Sequence, residues 1–314
     1  MNEQGANQTE SLPGPGQKKH PGTVSAHPPQ SAPGNFLAAP PYLAHFGLTE
    51  APFALTPDPA FSFATRSHQE AVNTLLIAIN SGEGFVKIVG EVGTGKSLLC
   101  RRLLNALKGR AITAYIPNPR LSATELLIAL AEEFQLPLES RDNTHLITKL
   151  LNDALLEFAA LGRGVVVCVD EAQALSQDAL ETLRLLSNLE TEKRKLMQIV
   201  LFGQPELDSK LDAPEIRQLK QRIAFSYRLD ILDSDEISPY LARRLKVAGA
   251  RRSLFSRRAE NALYKAGRGI PRLINVLANK ALMAAYGEGK AGVQFAHIKA
   301  AAQDTDGAWL SFWW

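Results

Sequence analysis

A glycine-rich octapeptide constrains this 314-residue chain more than any other feature. Residues 90–97 read GEVGTGKS and fit the pattern GxxxxGK[ST], in which glycines let successive backbone N–H groups turn toward an anion. Residues 85–89 predict a short buried strand, and residues 97–104 predict a helix whose N-terminus faces the phosphates. The octapeptide therefore predicts a site for a nucleoside triphosphate.

The predicted phosphate contacts come from consecutive residues, namely Gly90, Glu91, Val92, Gly93, Thr94, Gly95, Lys96, Ser97 and Leu98. Lys96 is expected to reach the β- and γ-phosphates as a point charge, and the Ser97 hydroxyl is expected to be a ligand of Mg²⁺. ATP and Mg²⁺ are therefore the expected cofactors. The alternative is a structural glycine turn, against which the flanking strand and helix argue.

A second apolar run ends in two acids. Residues 165–169 are β-branched apart from one cysteine and precede Asp170 and Glu171, a pattern typical of a central parallel strand. Asp170 is predicted to hold Mg²⁺ through its water shell, and Glu171 to polarise the water that attacks the γ-phosphate. The alternatives are a pair of solvated acids and, because Ala172 and Gln173 follow, a helicase motif. A helicase needs two nucleotide-handling domains, and this chain has room for one.

The bulk composition indicates a globular protein with a mild positive charge. With 45% hydrophobic residues the chain can build a core, and a net charge of +3 does not demand nucleic acid as a partner. Cys100 and Cys168 fall in a predicted helix and strand, so we expect core thiols in a reducing compartment. No apolar run approaches the ~20 residues that span a bilayer. We expect a cytoplasmic location, with peripheral attachment to the cytoplasmic face of the inner membrane as the alternative.

Strands alternate with helices as far as residue 232, and only helices follow. The alternation predicts an α/β fold: a P-loop NTPase three-layer α/β/α sandwich with a parallel five-stranded sheet, plus a C-terminal α-helical domain. The expected divisions are a disordered Pro/Gly/Ser-rich tail at 1–40, a nucleotide-binding domain at 41–232, a helical domain at 233–303 and a Trp-rich tail at 304–314.

Aromatic residues precede the octapeptide. We expect the rings between Tyr42 and Phe53 to anchor an extended segment that crosses the domain surface, with an adenine pocket as the alternative. His45 and His68 have no ligand spacing around them, so a structural or surface role is expected for both.

Several stretches together resemble the AAA+ ATPases, specifically the ExeA/GspA-like group. The resemblance covers roughly residues 42 to 302. The stretches that carry it are 42–46, 51–59, 90–97, 170–173, 203–207, 218–223 and 269–275. Taken singly, the phosphate loop and the acidic pair mark only a P-loop NTPase, whereas the full series in this order is specific.

The resemblance implies roles for three further residues. Gln204, which follows the predicted strand at 196–203, matches the sensor-1 position and would orient the attacking water. Arg222 matches the arginine finger, which stabilises charge in a neighbouring subunit's site; the alternative is a solvated arginine at the end of a helix at 214–222. Arg272 matches sensor 2, which contacts the γ-phosphate from the helical lid; the alternative is ordinary packing at a helix N-terminus.

The resemblance also implies a setting for the activity. It implies ATP hydrolysis between subunits of a homo-oligomeric ring, with a hexamer as one option, acting as an assembly motor or switch in a type IV pilus of the MSHA type or in type II secretion machinery. Envelope or pilus assembly proteins would be the partners. The chain has neither the membrane helix nor the peptidoglycan-binding module of longer members, so we expect no direct cell-wall role.

Two other functions stay open, together with two roles for the tail. Basic clusters at 243–246, 251–252 and 257–258 allow a DNA-associated AAA+ ATPase of the transposition-helper or origin-binding type. A small-molecule kinase is the other alternative, and the acidic pair with the helical lid argues against it. The Trp-rich tail is expected either to dock on the inner membrane or a partner there, or to fold back on the lid.

Overall fold

The computed structural model describes residues 40–308, apart from 56–58, 62, 64, 139–140, 142 and 191–194. The strands are β1 (Phe85–Gly90), β2 (Ala111–Ile116), β3 (Gly164–Val169), β4 (Met197–Gly203) and β5 (Ile223–Leu229). The helices that precede β5 are α1 (Pro41–Phe46), α2 (Arg66–Asn80), α3 (Lys96–Leu107), α4 (Ala123–Glu133), α5 (Thr144–Ala160), α6 (Gln177–Leu186), α7 (Glu206–Leu211) and α8 (Arg217–Lys220). The helices after β5 are α9 (Ile237–Val247), α10 (Arg257–Gly267), α11 (Pro271–Gly287) and α12 (Phe295–Gln303). The predicted disordered tail before residue 40 and the Trp-rich residues 309–314 lie outside the described residues.

The five strands form one parallel sheet in the order β2-β3-β4-β1-β5. Parallel neighbours need crossover connections, and helices supply them. The predicted three-layer fold with a parallel five-stranded sheet is confirmed.

Alternate side chains of each strand pack on opposite faces of the sheet, as the two-residue period of a strand requires. On β3, Val167 and Val169 join a core that includes α4, α5 and α6. Val166 and Cys168 face the other way, into a core with α2 and α3. Both cysteines are buried and free, in agreement with their prediction as core thiols. In the described ranges no helix is both long enough and apolar enough to cross a membrane.

A separate core forms among α9, α10, α11 and α12, and the N-terminal segment belongs to it. The expected extended segment is wrong at Pro41–Phe46, which is helical, whereas the expected anchoring by rings is confirmed because Tyr42, Phe46 and Phe53 are buried. Proline at its first position and Gly47 in the left-handed region (φ 68°) at its C-terminus fix the two ends of this helix. Tyr42, Leu43 and Phe46 are buried against the C-terminal helices, and the Tyr42 hydroxyl donates to Asn279 Oδ1 at 3.0 Å.

The helix expected at 214–222 is interrupted. A 3₁₀ turn spans Pro214–Ile216 and α8 follows it, because Ile216 (φ −105°, ψ 6°) departs from helical geometry. Helix α8 ends at Lys220, so Arg222 lies in the short link to β5 rather than at a helix end.

Arg244 on α9 holds the N-terminal segment to the helical core. Its Nε donates to the Pro52 carbonyl at 2.7 Å, and its Nη2 donates to the Ala54 carbonyl at 3.3 Å. The guanidinium also lies 5.2 Å from the centre of the Phe61 ring and 5.7 Å from that of Tyr240. Such ring contacts favour a cation that is shielded from water.

Replacing Arg244 should therefore destabilise the protein. We expect Arg244→Ala to lower the free energy of unfolding by about 2–3 kcal/mol, because it removes charge-assisted hydrogen bonds and leaves a buried carbonyl unpaired. Arg243→Ala removes the same charge from an exposed neighbour and should stay within about 0.5 kcal/mol of wild type. Denaturant titration measures both values. Equal stability of the two variants would contradict the role of Arg244.

Candidate nucleotide site

The register of the sheet brings three strand ends to one edge. Val89 of β1 lies opposite Gly203 of β4, and Leu201 of β4 lies opposite Val169 of β3. The glycine-rich loop follows β1, the acidic pair follows β3 and Gln204 follows β4. The carboxyl edge of an open parallel sheet is where such folds bind their ligands.

Two loop glycines are required by their conformation and by their neighbours. Gly93 and Gly95 have φ of 84° and 100°, which residues with a Cβ rarely adopt. A Cβ at Gly93 would lie 2.6 Å from the Cβ of Arg272, and one at Gly95 would lie 2.8 Å from Nε2 of His68. The loop is therefore a cradle of backbone at the N-terminus of α3, where N–H groups face an anion.

Lys96 lies inside this cradle and is only 5% exposed. Its Nζ donates to the carbonyl of Gly90 at 2.8 Å and to that of Glu91 at 3.0 Å. Burial lowers the pKa of Lys96, and the nearby charges of Glu171 and Asp170 oppose that shift. Neutral carbonyls hold the ammonium group at the loop. Phosphate oxygens could replace these carbonyls as its hydrogen-bond acceptors.

Glu171 lies beside Gln204, as the sequence predicts. The amides of Gln173 and Gln204 both donate to Glu171 Oε2, at 2.5 and 2.8 Å. Burial acts to raise the pKa of Glu171, but these two hydrogen bonds and the charge of Lys96 together lower it below its ordinary value. The residue is thus a carboxylate at neutral pH. Its backbone is in the left-handed region (φ 51°, ψ 38°), a strained conformation that is common at functional sites.

Asp170 is 3% exposed, and its Oδ1 accepts the backbone N–H of Glu171 at 3.0 Å. The Tyr115 hydroxyl donates to Oδ2 at 3.4 Å; burial, together with the Asp170 charge, raises the pKa of Tyr115 to about 12. Among the described residues no cluster of three or more His, Cys, Asp or Glu could hold a metal ion. Mg²⁺ commonly takes only one or two protein oxygens with substrate phosphates and water, so a donor set of Ser97 and Asp170 fits it.

The two predicted arginines lie in different places. Arg272 lines the same cavity as the loop, and its backbone N–H donates to the carbonyl of Gly93 at 3.2 Å. That N–H belongs to the first turn of α11, where no partner exists within the helix. Arg222 is absent from the cavity and is partly exposed, and its charge acts instead on Glu181 and Glu190.

The cavity also contains residues that the sequence did not predict as functional. It measures about 1070 Å³ including its open mouth, and residues 92–98 line it together with Glu171 and Arg272. Gly90 and Glu91 contribute only the carbonyls that hold Lys96. The additional lining residues are Ala54, Leu55, Phe61, Phe63, Thr65, His68, Tyr240, Arg244, Pro271 and Asn275. Aromatic residues shortly before the loop are the signal that could have found part of this set.

The far wall of the cavity suits a nucleotide base. Phe61 and Phe63 belong to the N-terminal segment, and Phe63 packs edge-on against Tyr240 with ring centres 5.8 Å apart. The Tyr240 hydroxyl donates to Asn275 Oδ1 at 2.7 Å. Aromatic faces with one fixed amide provide stacking and a polar contact, which is the usual composition of a ligand pocket.

Comparison with known proteins agrees with this geometry. Residues 79–211 match the family described as AAA domain. General secretion pathway protein A of Aeromonas hydrophila is 42% identical over 266 residues, which cover 85% of this chain and 49% of that relative. This chain therefore spans about half the length of that relative.

Solved structures with the same fold are more distant in sequence. The Aeropyrum pernix ORC2 protein in its ADPNP–ADP complexes has a TM-score of 0.59 at 17% identity, covering 82% of this chain and 73% of that chain. Drosophila ORC bound to DNA has a TM-score of 0.61 at 13% identity, covering 89% of this chain and 69% of that chain. At these identities the likeness establishes the fold alone.

Substitution of Glu171 should separate binding from turnover. We expect Glu171→Gln to bind MgATP with near wild-type affinity and to lower the rate of phosphate release by at least about 100-fold, because the amide cannot accept a proton from water. Calorimetry and a phosphate-release assay measure the two quantities. Hydrolysis at the wild-type rate would refute the assignment of the base.

Proposed function

We propose, on the premise that residues 79–211 form an AAA domain, that this chain binds and hydrolyses ATP and thereby drives the assembly of an envelope machine. One observation carries the enzymatic part of the proposal. A single sheet edge brings together a buried lysine in a glycine cradle, an ionised Glu171 and the amide of Gln204. This is the set of groups that phosphoryl transfer to water requires.

In the proposed mechanism the loop N–H groups and Lys96 bind the β- and γ-phosphates. Mg²⁺ would be held by Ser97 and Asp170 and would neutralise charge on the phosphate oxygens. Glu171 accepts a proton from the attacking water, which the Gln204 amide orients. Arg272 approaches the γ-phosphate from α11, so loss of that phosphate would change the contact between the loop and the helical region.

Arg222 is proposed to act on a neighbouring subunit. Its position away from the cavity of its own chain supports this role, since an arginine that completes a site in trans must face outward. The charge that develops on the transferred phosphoryl group would be stabilised by the neighbour's guanidinium. The active form would then be a homo-oligomeric ring, and hydrolysis would depend on its assembly.

The biological setting is proposed from the similarity to general secretion pathway protein A. We infer a motor or switch ATPase of the ExeA/GspA-like group, with envelope or pilus assembly proteins as partners. Within this group we propose the role of the MSHA pilus biogenesis ATPase MshM, with a type IV pilus as the preferred machine and type II secretion as the second. The inference draws on the 266 shared residues only.

A DNA-associated ATPase is the second candidate, and a group of exposed basic residues favours it. Arg243, Lys246, Arg251, Arg252 and Arg258 are all exposed on or between α9 and α10. Exposed arginine and lysine side chains can neutralise the phosphates of a DNA backbone. A protein with the same fold, Drosophila ORC, is bound to DNA in its structure.

Mixing two inactive variants should test the shared site. We expect Arg222→Ala to lower turnover about a thousandfold without weakening ATP binding. A one-to-one mixture with Glu171→Gln should regain about a quarter of wild-type turnover, because randomly mixed rings restore complete interfaces in that proportion. Arg217→Ala, a control on the exposed side of α8, should keep wild-type turnover. No recovery in the mixture would reject a finger acting between subunits.

A salt series should separate the two candidate functions. If DNA is the partner, log affinity should fall linearly with log salt, and Arg251→Glu with Arg252→Glu should weaken binding and reduce the slope. We expect instead no saturable DNA binding at physiological salt with MgATP present. Fluorescence anisotropy with labelled duplex measures the affinity. Tight binding that depends on these two arginines would favour the second candidate.

A further inference from the structure

His68 contacts the glycine-rich loop from the first turn of α2. The side chain is 4% exposed, and Thr65, the N-cap of the helix, fixes it. Thr65 Oγ1 accepts the backbone N–H of His68 at 3.0 Å and lies 2.6 Å from His68 Nδ1. Nδ1 of the imidazole is therefore hydrogen-bonded to Thr65, and Nε2 is directed toward Gly95.

The hydrogen bonds of Thr65 define which ring nitrogen carries the proton. In the described part of the chain, the two contacts of its Oγ1 are both with His68, and one of them already supplies a proton to the oxygen. The hydroxyl proton has no other acceptor among the described residues, so we assign it to Nδ1, which makes Nδ1 the acceptor and Nε2 the N–H group. Burial and the charge of Arg102 lower the pKa of His68 to about 4, and a hydrogen-bonding contact with the Gly95 backbone opposes this shift, so the ring is neutral.

The Nε2–H group lies against the backbone of Gly95 and makes no well-formed hydrogen bond there. Nε2 is buried and has no hydrogen-bond partner among the described residues, and it lies 2.8 Å from the point where a Cβ of Gly95 would be. His68 also lines the cavity that contains Lys96 and Ser97. Buried N–H donors are almost always paired in native proteins, so an unpaired one at a candidate anion site indicates a missing acceptor.

We propose that His68 is a further nucleotide-binding residue, whose neutral Nε2–H donates to a phosphate oxygen held at the Gly95 end of the loop. The inference rests on the proposed function, because it requires a triphosphate in the loop. A neutral donor adds a directional contact beside the point charge of Lys96. The acceptor is a phosphate oxygen rather than the nucleotide base, because Gly95 caps the N-terminus of α3, where anions bind. The aromatic wall that suits the base is formed instead by Phe61, Phe63 and Tyr240.

Three variants at this position distinguish the donor from the ring. His68→Gln places an amide near the position of Nε2, His68→Asn places one near Nδ1 only, and His68→Phe keeps the ring shape without nitrogen. Calorimetry should give dissociation constants for MgATP about tenfold higher than wild type for the Asn and Phe variants, and within about twofold for the Gln variant. Magnesium tripolyphosphate serves as a second probe that has no base or sugar.

The outcomes separate this inference from the proposed function. Equal losses for MgATP and tripolyphosphate, with unchanged melting temperatures of the nucleotide-free variants, support the phosphate contact. A loss for MgATP alone would place the acceptor on the nucleoside and overturn the assignment. Unchanged affinity in the Asn and Phe variants would overturn it while leaving the proposed function intact. Failure of the wild-type protein to bind either probe would reject the proposed function itself.

A spectroscopic measurement covers the case in which a variant fails to fold. Nitrogen-15 spectra of the wild-type protein labelled at its six histidines report the tautomer of each ring. The His68 signal should show the Nε2–H tautomer before nucleotide is added, and its Nε2 shift should change on saturation with MgADP. The Nδ1–H tautomer, or a shift that does not move, would contradict the proposal.

Discussion

The parallel register of β1, β3 and β4 is the constraint on which the site depends. It fixes three strand ends at one edge, so the loop that begins at Gly90 meets Asp170, 80 positions later, and Gln204, 114 positions later. The loop contributes its glycine backbone, Lys96 and Ser97, and the neighbouring strand ends supply Glu171 and Gln204. Strands β1, β3 and β4 are buried on both faces, so close packing restrains the edge at which their ends meet.

The helical region completes the cavity through few but specific contacts. The Arg272 N–H meets the Gly93 carbonyl, and the close approach of Arg272 to that glycine leaves no space for a side chain. Arg244 and Tyr240 fix the aromatic segment on the opposite side. The phosphate end of the cavity thus belongs to the sheet, whereas the other end is built jointly by the N-terminal segment and the C-terminal helices.

Local sequence patterns predicted the sheet and its carboxyl edge. They did not predict the cavity wall that the N-terminal segment and the C-terminal helices form. Each of three features can be recognised within ten residues: the octapeptide, the apolar run at 165–169 and the polar residue after β4. The strand ends and Gln204 could therefore be placed correctly. Helix α1 could not, because its apolar residues pack against partners about 200 positions away. His68 was expected to be structural or at the surface, since nothing in its sequence neighbourhood indicates that the N-cap Thr65 turns its ring toward the loop. The division into domains and the roles of all the site residues, Glu171, Gln204, Arg222 and Arg272 as well as the phosphate and Mg²⁺ contacts, stay predictions.

The shared core of α1 and α9 to α12 has a consequence for synthesis on the ribosome. The sheet is encoded between the two halves of that core, so α1 and Phe61 emerge well before the helices α9 to α12 that they pack against. At ordinary elongation rates the delay before the start of α9 is roughly ten to thirty-five seconds. During that time the aromatic residues of the N-terminal segment stay exposed, because the helices that bury them have not been made. The nascent chain is therefore most prone to aggregate, or to need a chaperone, just before the last helices are synthesised.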